Sequence, residues 1–205
     1  MSELFLWKSE HMRGRARPSG RIEGAHEDNE LGGRWRFGSD AFAPADDGKG
    51  VPLECADCGD GLLLAARVRE IVVGGDAVEW HPLPLRRGSK TLAERLLMNP
   101  WRVIDAIDVD ASGVRWSSAD PEHAMGFERG VVIDLARVPA DDAPFRLKHQ
   151  LRWIVVRRAL ALRVLSAGVT GAAFWSTTGF TGTGLDDPGL AETIALRDEA
   201  SNLRK

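Results

Sequence analysis

Residues 62–81 and 153–175 follow the same order of local signals, and that order constrains the fold more than any other feature of the chain. In the first, Leu62-Leu63-Leu64 reads as a short buried strand, and Val68, Ile71 and Val72 then recur at helical spacing. Gly74-Gly75 stops that helix, because glycine accepts the left-handed conformation that closes many helices. Val78-Glu79-Trp80-His81 follows as a second strand before Pro82. In the second stretch, Trp153-Ile154-Val155-Val156 is the strand, and Leu160, Val164 and Leu165 mark the helix. Gly168 is the stop and Ala172-Ala173-Phe174-Trp175 the closing strand. A weak internal duplication produces such a pair, and so does the independent recurrence of a common α/β unit.

The remaining elements are shorter. Leu4-Phe5-Leu6-Trp7 is a first strand, residues 8–33 a polar surface loop, Arg34-Trp35-Arg36-Phe37 an alternating strand, and Pro44 to Gly50 another loop. Thr91–Met98 reads as a helix ended by Pro100, residues 101–109 fit helix or strand, and Val131–Leu135 reads as a strand. After a flexible Gly179–Gly184 link, Asp187 caps a C-terminal helix with Pro188 as its first residue. The predicted class is α+β, a mixed sheet with a few short helices and the two related strand-helix-strand units. One domain spans 1–205, with a loop-rich part at 1–50 and the helix within 185–205.

Composition excludes several classes. A net charge of −3 argues against a protein bound mainly to nucleic acid, and the 22 arginines are scattered rather than gathered into a phosphate site. No apolar run approaches a membrane span, and Leu4–Trp7 is too short for a secretory signal, so a cytoplasmic protein is expected. Two cysteines cannot build a disulfide framework, which fits a reducing compartment.

Few residues carry chemistry. Cys55 and Cys58 have the spacing to grip one metal through a turn, but a structural zinc needs four ligands, and neither His26 nor His81 shows paired spacing. A thioredoxin-like role needs the pair to open a helix, which Gly59 and Gly61 oppose. The favoured reading is a turn with two ordinary thiols, and a metal-binding regulatory module is the alternative function. The histidines His11, His26, His81, His123 and His149 are scattered, and the glycine-rich Thr178–Gly184 lacks the Lys-Ser/Thr of a phosphate loop. Carboxylates cluster at Asp105, Asp108 and Asp110, at Asp141-Asp142 and at Asp186-Asp187. Such clusters make a solvated face or a surface complementary to a basic partner. Of seven tryptophans, Trp35 and Trp116 are flanked by polar residues and are the candidates for exposed anchors.

Residues 92–175 resemble a known family. Leu97-Met98-Asn99-Pro100-Trp101-Arg102-Val103-Ile104-Asp105-Ala106-Ile107-Asp108, then Ser112, is similar to its asparagine-containing segment. Pro144-Phe145-Arg146-Leu147 is similar to its phenylalanine-arginine step, and Ala167–Phe174 to its closing pattern. Leu62–Pro84 looks like its first strand-helix-strand unit, while Arg157-Arg158 stands where the family usually has serine-glutamate. The family is the eleventh group of bacterial polymorphic-toxin immunity proteins. The resemblance implies a cytoplasmic, non-enzymatic protein without cofactor that binds and neutralises a cognate protein toxin. Trp35, Asp105, Asp108, Asp110 and Trp116 are the candidate contacts from the residue reading. The toxin's identity and the oligomeric state stay open.

Overall fold

Leu4, Phe5, Leu6 and Trp7 are all buried, and a strand buried on both faces belongs inside a sheet. The computed structural model describes residues 3–10, 15–19, 22–26, 29–58, 61–181 and 190–204. In it the first sheet has the order Val103–Ile104, Phe145–Leu147, Gln150–Arg157, Leu4–Ser9, Ala172–Ser176. Leu4–Ser9 is antiparallel to both neighbours, with Leu6 opposite Val155 on one side and Trp175 on the other. The second sheet has the order Cys55–Cys58, Gly61–Leu64, Leu96–Pro100, Val78–Pro82, and the third Glu23–Ala25, Phe37–Pro44, Leu85–Arg87, Lys90–Ala93. Val114–Trp116 and Ala124–Phe127 form a separate two-stranded hairpin.

Side-chain alternation along these strands separates three cores. Phe5, Trp7, Ile154 and Val156 point into one, where they meet Leu62, Leu64 and Met98 of the second sheet. Leu4, Leu6, Trp153 and Val155 point the other way, onto Phe145, Ala124 and Phe127. Leu63 and Leu97 leave the back of the second sheet for a third core with Trp35, Ala43, Leu83 and Leu85.

Both predicted strand-helix-strand units form. Gly61–Leu64, the helix Val68–Ile71 and Val78–Pro82 make the first; Gln150–Arg157, the helix Arg158–Ser166 and Ala172–Ser176 make the second. In each, the two strands flank a third that is antiparallel to both: Leu96–Pro100 in one, Leu4–Ser9 in the other. The units share this split topology. Arg67, at the start of the shorter helix, joins them by a two-pronged contact with Glu54 at 2.5 and 2.7 Å and by donating to the Ala167 carbonyl at 3.2 Å. Glu54 also accepts from the Thr170 amide at 3.0 Å. The Arg67 guanidinium holds the Glu54 carboxyl at about 2, below its ordinary 4.5.

Several expectations are corrected. Thr91–Met98 is no helix; Lys90–Ala93 and Leu96–Pro100 are strands. Leu97 and Met98 are buried between strands on both sides, and the Arg95 guanidinium reaches the Leu53 carbonyl at 3.0 Å, so packing overrides helix propensity. The strand expected at Arg34–Phe37 begins at Phe37 and runs on to Pro44, and Glu23–Ala25 within the expected loop pairs with it. Val131–Leu135 is not a strand. It supplies one bridge, Ile107 to Ile133, before a short 3-10 turn capped by the Asp134 side chain. Residues 103–112 resolve into the short strand Val103–Ile104 and the helix Val109–Ser112. The C-terminal helix runs Leu190–Leu203; Asp187, Pro188 and Gly182–Gly184 lie outside the described residues, as do His11 and Gly59.

Candidate functional site

The segment from Asp105 to Glu128 carries most of the sequence candidates on one continuous stretch. Asp108 caps the Val109–Ser112 helix, its carboxylate accepting from the Ala111 amide at 2.9 Å. Gly113 ends that helix at φ +62, and the chain turns directly into the hairpin. Val114 and Phe127 pair and face the core beneath, while Arg115 lies over Gly126 on the outer side. The register shifts after Arg115, leaving Met125 as the extra residue of a bulge, and Met125 is 63% exposed.

Trp116 is 40% exposed and stands edge-on to His149, with ring centres 5.0 Å apart. His149 occupies the Lys148-His149 turn between Phe145–Leu147 and Gln150–Arg157. Its φ of +70 is the only positive value at a non-glycine position among the described residues. That conformation costs an L-residue about 1–2 kcal/mol. Its Nδ1 lies 2.8 Å from the Glu122 carbonyl, and its own carbonyl accepts from the Ala124 amide at 2.9 Å. Beside it opens a cleft of about 470 Å³ floored in part by Leu31 and Leu151, with Asp120, Glu122, His123 and Arg152 on its walls. The sequence held His123 and His149 apart; the fold brings both to this cleft. The signal for the intervening loop was present in Ser117-Ser118-Ala119-Asp120-Pro121, a run of turn formers.

Asp105 ends 3.1 Å from Lys148, so it borders the same turn, and Asp110 is exposed with its backbone carbonyl held by Arg129. Asp141 is elsewhere, gripped by Arg102 at 2.7 and 2.8 Å, which holds its carboxyl at about 2. Asp142 pairs with Arg163 at 2.8 Å.

Trp35 is not an exposed anchor. It is 8% exposed in the third core, with its indole N–H donating to the Glu30 carbonyl at 2.9 Å and its amide to Glu79 at 3.0 Å. The polar neighbours that made it look exposed turn away from it, Arg34 lying over the Trp101 ring. Nor do Cys55 and Cys58 sit in a turn. They occupy one strand, and a three-residue step along a strand reverses the side chain, so Cys55 enters the first core and Cys58 the third. Thiols on opposite faces of a sheet cannot share an ion, which removes the footing of the metal-module alternative. Burial also pushes both thiols up, Cys58 to about 12 and Cys55 further, so neither is a ready thiolate.

Two polar residues of the segments that carry the family resemblance meet in the interior. Asn99 and Arg146 are both fully buried, and an Arg146 Nη2 donates to Asn99 Oδ1 at 3.2 Å. Arg146 also donates to the carbonyls of Pro100 at 2.7 Å and Leu151 at 2.5 Å and lies over the Trp35 ring. The Asn99 amide donates onward to the Gly33 carbonyl at 3.0 Å and to Glu79 at 3.4 Å. This clasp fastens the first sheet to the second and to the 33–35 loop.

Comparison with known protein families matches residues 55–178, more than half of the chain, to the family described as Immunity protein family (Imm11). No curated protein matches the chain.

Proposed function

Because the chain belongs to the Imm11 immunity protein family, we propose that it neutralises a cognate toxin of a bacterial polymorphic-toxin system by binding it and covering its active site, in the cytoplasm and without turnover. The family match carries the reading. The exposed Trp116 beside a cleft supports the covering mode, since interfaces draw most of their affinity from a few aromatic or arginine anchors ringed by polar groups. Trp116, with Asp105, Asp108 and Asp110 at the rim, forms the contact surface; Trp35 acts only through the fold. Among the described residues no helix is long and apolar enough to cross a membrane.

The test is a titration of toxin activity with the cognate toxin, identified by pull-down with the neighbouring gene's product and a toxicity-rescue assay. Covering predicts inhibition that saturates near one equivalent once concentrations exceed the dissociation constant. Progressive silencing of excess toxin by substoichiometric amounts points to an enzymatic antidote and rejects the covering mode.

A further inference from the structure

We infer that the toxin docks along the outer edge of Val114–Trp116, and that what it lays there is an extended strand of its own with an acidic side chain opposite Arg115. The inference rests on the immunity reading above and adds the contact element and the chemistry of the segment it receives.

Val114–Trp116 pairs with Ala124–Phe127, and the two strands form a sheet of their own. In an antiparallel pair, residues alternate between those that turn their own N–H and C=O toward the partner strand and those that turn them away. Two bonds fix the phase here. The Glu128 amide donates to the Gly113 carbonyl at 3.0 Å, one step outside the Val114–Phe127 pair. The Ser117 amide donates to the His123 carbonyl at 2.9 Å, one step outside the Trp116–Ala124 pair. Arg115 is therefore the residue that bonds inward, and Val114 and Trp116 turn their amides and carbonyls outward. Ala124, opposite Trp116, obeys the same phase on the other side of the hairpin. There its amide donates to the His149 carbonyl at 2.9 Å, and its carbonyl accepts from the Gln150 side chain. That side is closed. On the Val114–Trp116 side, among the described residues, none of the four outward groups has a partner.

Two donor-acceptor pairs, two residues apart on one edge, match an extended backbone, which offers acceptors and donors at the same period. Trp116, 40% exposed, ends this edge with its ring beside His149. Charge then chooses between the strands that could fill it. A second copy of this chain is the simplest candidate. To use all four groups, two copies must pair antiparallel about Arg115, so that Val114 of each meets Trp116 of the other. That register sets the two Arg115 side chains directly opposite, at the closer spacing of about 4.5 Å between Cα atoms, where like charges destabilise. Within the chain Arg115 is exposed, its guanidinium lies over Gly126, and among the described residues it makes no ion pair. Charge complementarity assigns the facing position to an aspartate or glutamate on a toxin strand. The residues on either side of that carboxylate then bond to Val114 and Trp116 through their backbones, whatever their side chains.

The experiment uses the full chain and the neighbouring gene's product, once pull-down and rescue have identified it as the cognate toxin. Amide hydrogen exchange is followed by NMR in the free chain and in the complex. The Val114 and Trp116 amides exchange fast in the free chain and slow about tenfold or more in the complex, while the inward Arg115 amide is slow in both. Two variants sharpen the result. Val114→Pro removes one outward donor that the hairpin itself does not use, and weakens binding about tenfold or more relative to Val114→Ala, which keeps that donor. Arg115→Glu weakens binding about tenfold or more, and the loss shrinks at high salt. Val114 and Trp116 amides that stay fast in the complex overturn strand addition, whatever the variants do. Binding by Arg115→Glu that equals the wild type overturns the acidic residue opposite it. A free chain that sediments as a dimer with both amides already slow assigns the edge to a second copy and overturns the toxin strand. A wild-type chain that neither binds nor rescues overturns the immunity reading itself.

Discussion

Asn99–Arg146 and Trp116–His149 both join residues distant in sequence, and they use burial in opposite ways. Asn99 and Arg146 are sealed in the interior, where the amide and guanidinium find protein partners and link two sheets to a loop. Trp116 leaves a large aromatic face in water, and its histidine partner sits in a strained turn. Two of the residues in the segments that carry the family resemblance, Asn99 and Arg146, thus hold the fold together. Trp116, the proposed anchor, lies in a hairpin with no part in that clasp.

Removing the guanidinium is the hardest blow to the buried side of this comparison. Arg146→Met leaves Asn99 Oδ1 and the Pro100 and Leu151 carbonyls without their donor, and should cost about 3–5 kcal/mol, read from urea unfolding. A loss below about 1 kcal/mol would show that the interior accommodates the orphaned acceptors and that the clasp is dispensable.

The two tryptophans with similar polar flanks offer a matched test. Trp35→Ala opens a cavity in the third core and should destabilise by about 3–5 kcal/mol. Trp116→Ala should destabilise less, by about 1–2 kcal/mol, while weakening toxin binding by about 2 kcal/mol. Equal destabilisation by both would erase the distinction between scaffold and contact.

The smallest effect concerns the link between the two split units. The folded state holds Glu54 at about 2, against 4.5 for the free side chain. A carboxyl depressed on folding contributes stability that is complete above about pH 4.5 and lost as the pH falls toward 2. Because Arg67 is half in solvent, screening reduces the contribution to about 1 kcal/mol. Glu54→Gln should therefore lower stability at pH 7 and flatten the decline between pH 4.5 and 2. An unchanged acid limb would mean that Glu54 does not couple the units.

Much of the scaffold was legible before any coordinates. Leu4–Trp7, Leu62–Leu64, Val78–His81, Trp153–Val156 and Ala172–Trp175 are strands because apolar, aromatic and β-branched runs of that length suit a sheet; Gly168, at φ +68, closes the second helix as expected, whereas the first ends at the extended Val72, before Gly74-Gly75. The misreadings have physical causes. Ala93-Glu94-Arg95-Leu96-Leu97-Met98 consists of good helix formers, yet flanking strands claim both edges of its second half. Val131–Leu135 has strand composition but meets a single bridge partner. At the site, the exposure of Trp116 was readable from its flanks, whereas the same flanks misplaced Trp35, because burial depends on what lies across the space and not along the chain. His149 and the cleft were unreadable, since they exist only once the Lys148-His149 turn returns to the hairpin.

The position of Leu4–Ser9 also sets a clock. Its partners, Gln150–Arg157 and Ala172–Ser176, are synthesised only after about 140 further residues, which at 5–20 residues per second takes about 10–30 s. During that wait the strand is an unpaired apolar ribbon, and the first sheet cannot close around it. Chains stalled on the ribosome before Ala172 should be cut by protease within residues 4–9, and completed chains should not. If the chain neutralises a toxin as proposed, protection in the first seconds of exposure comes from finished copies and not from chains still being made.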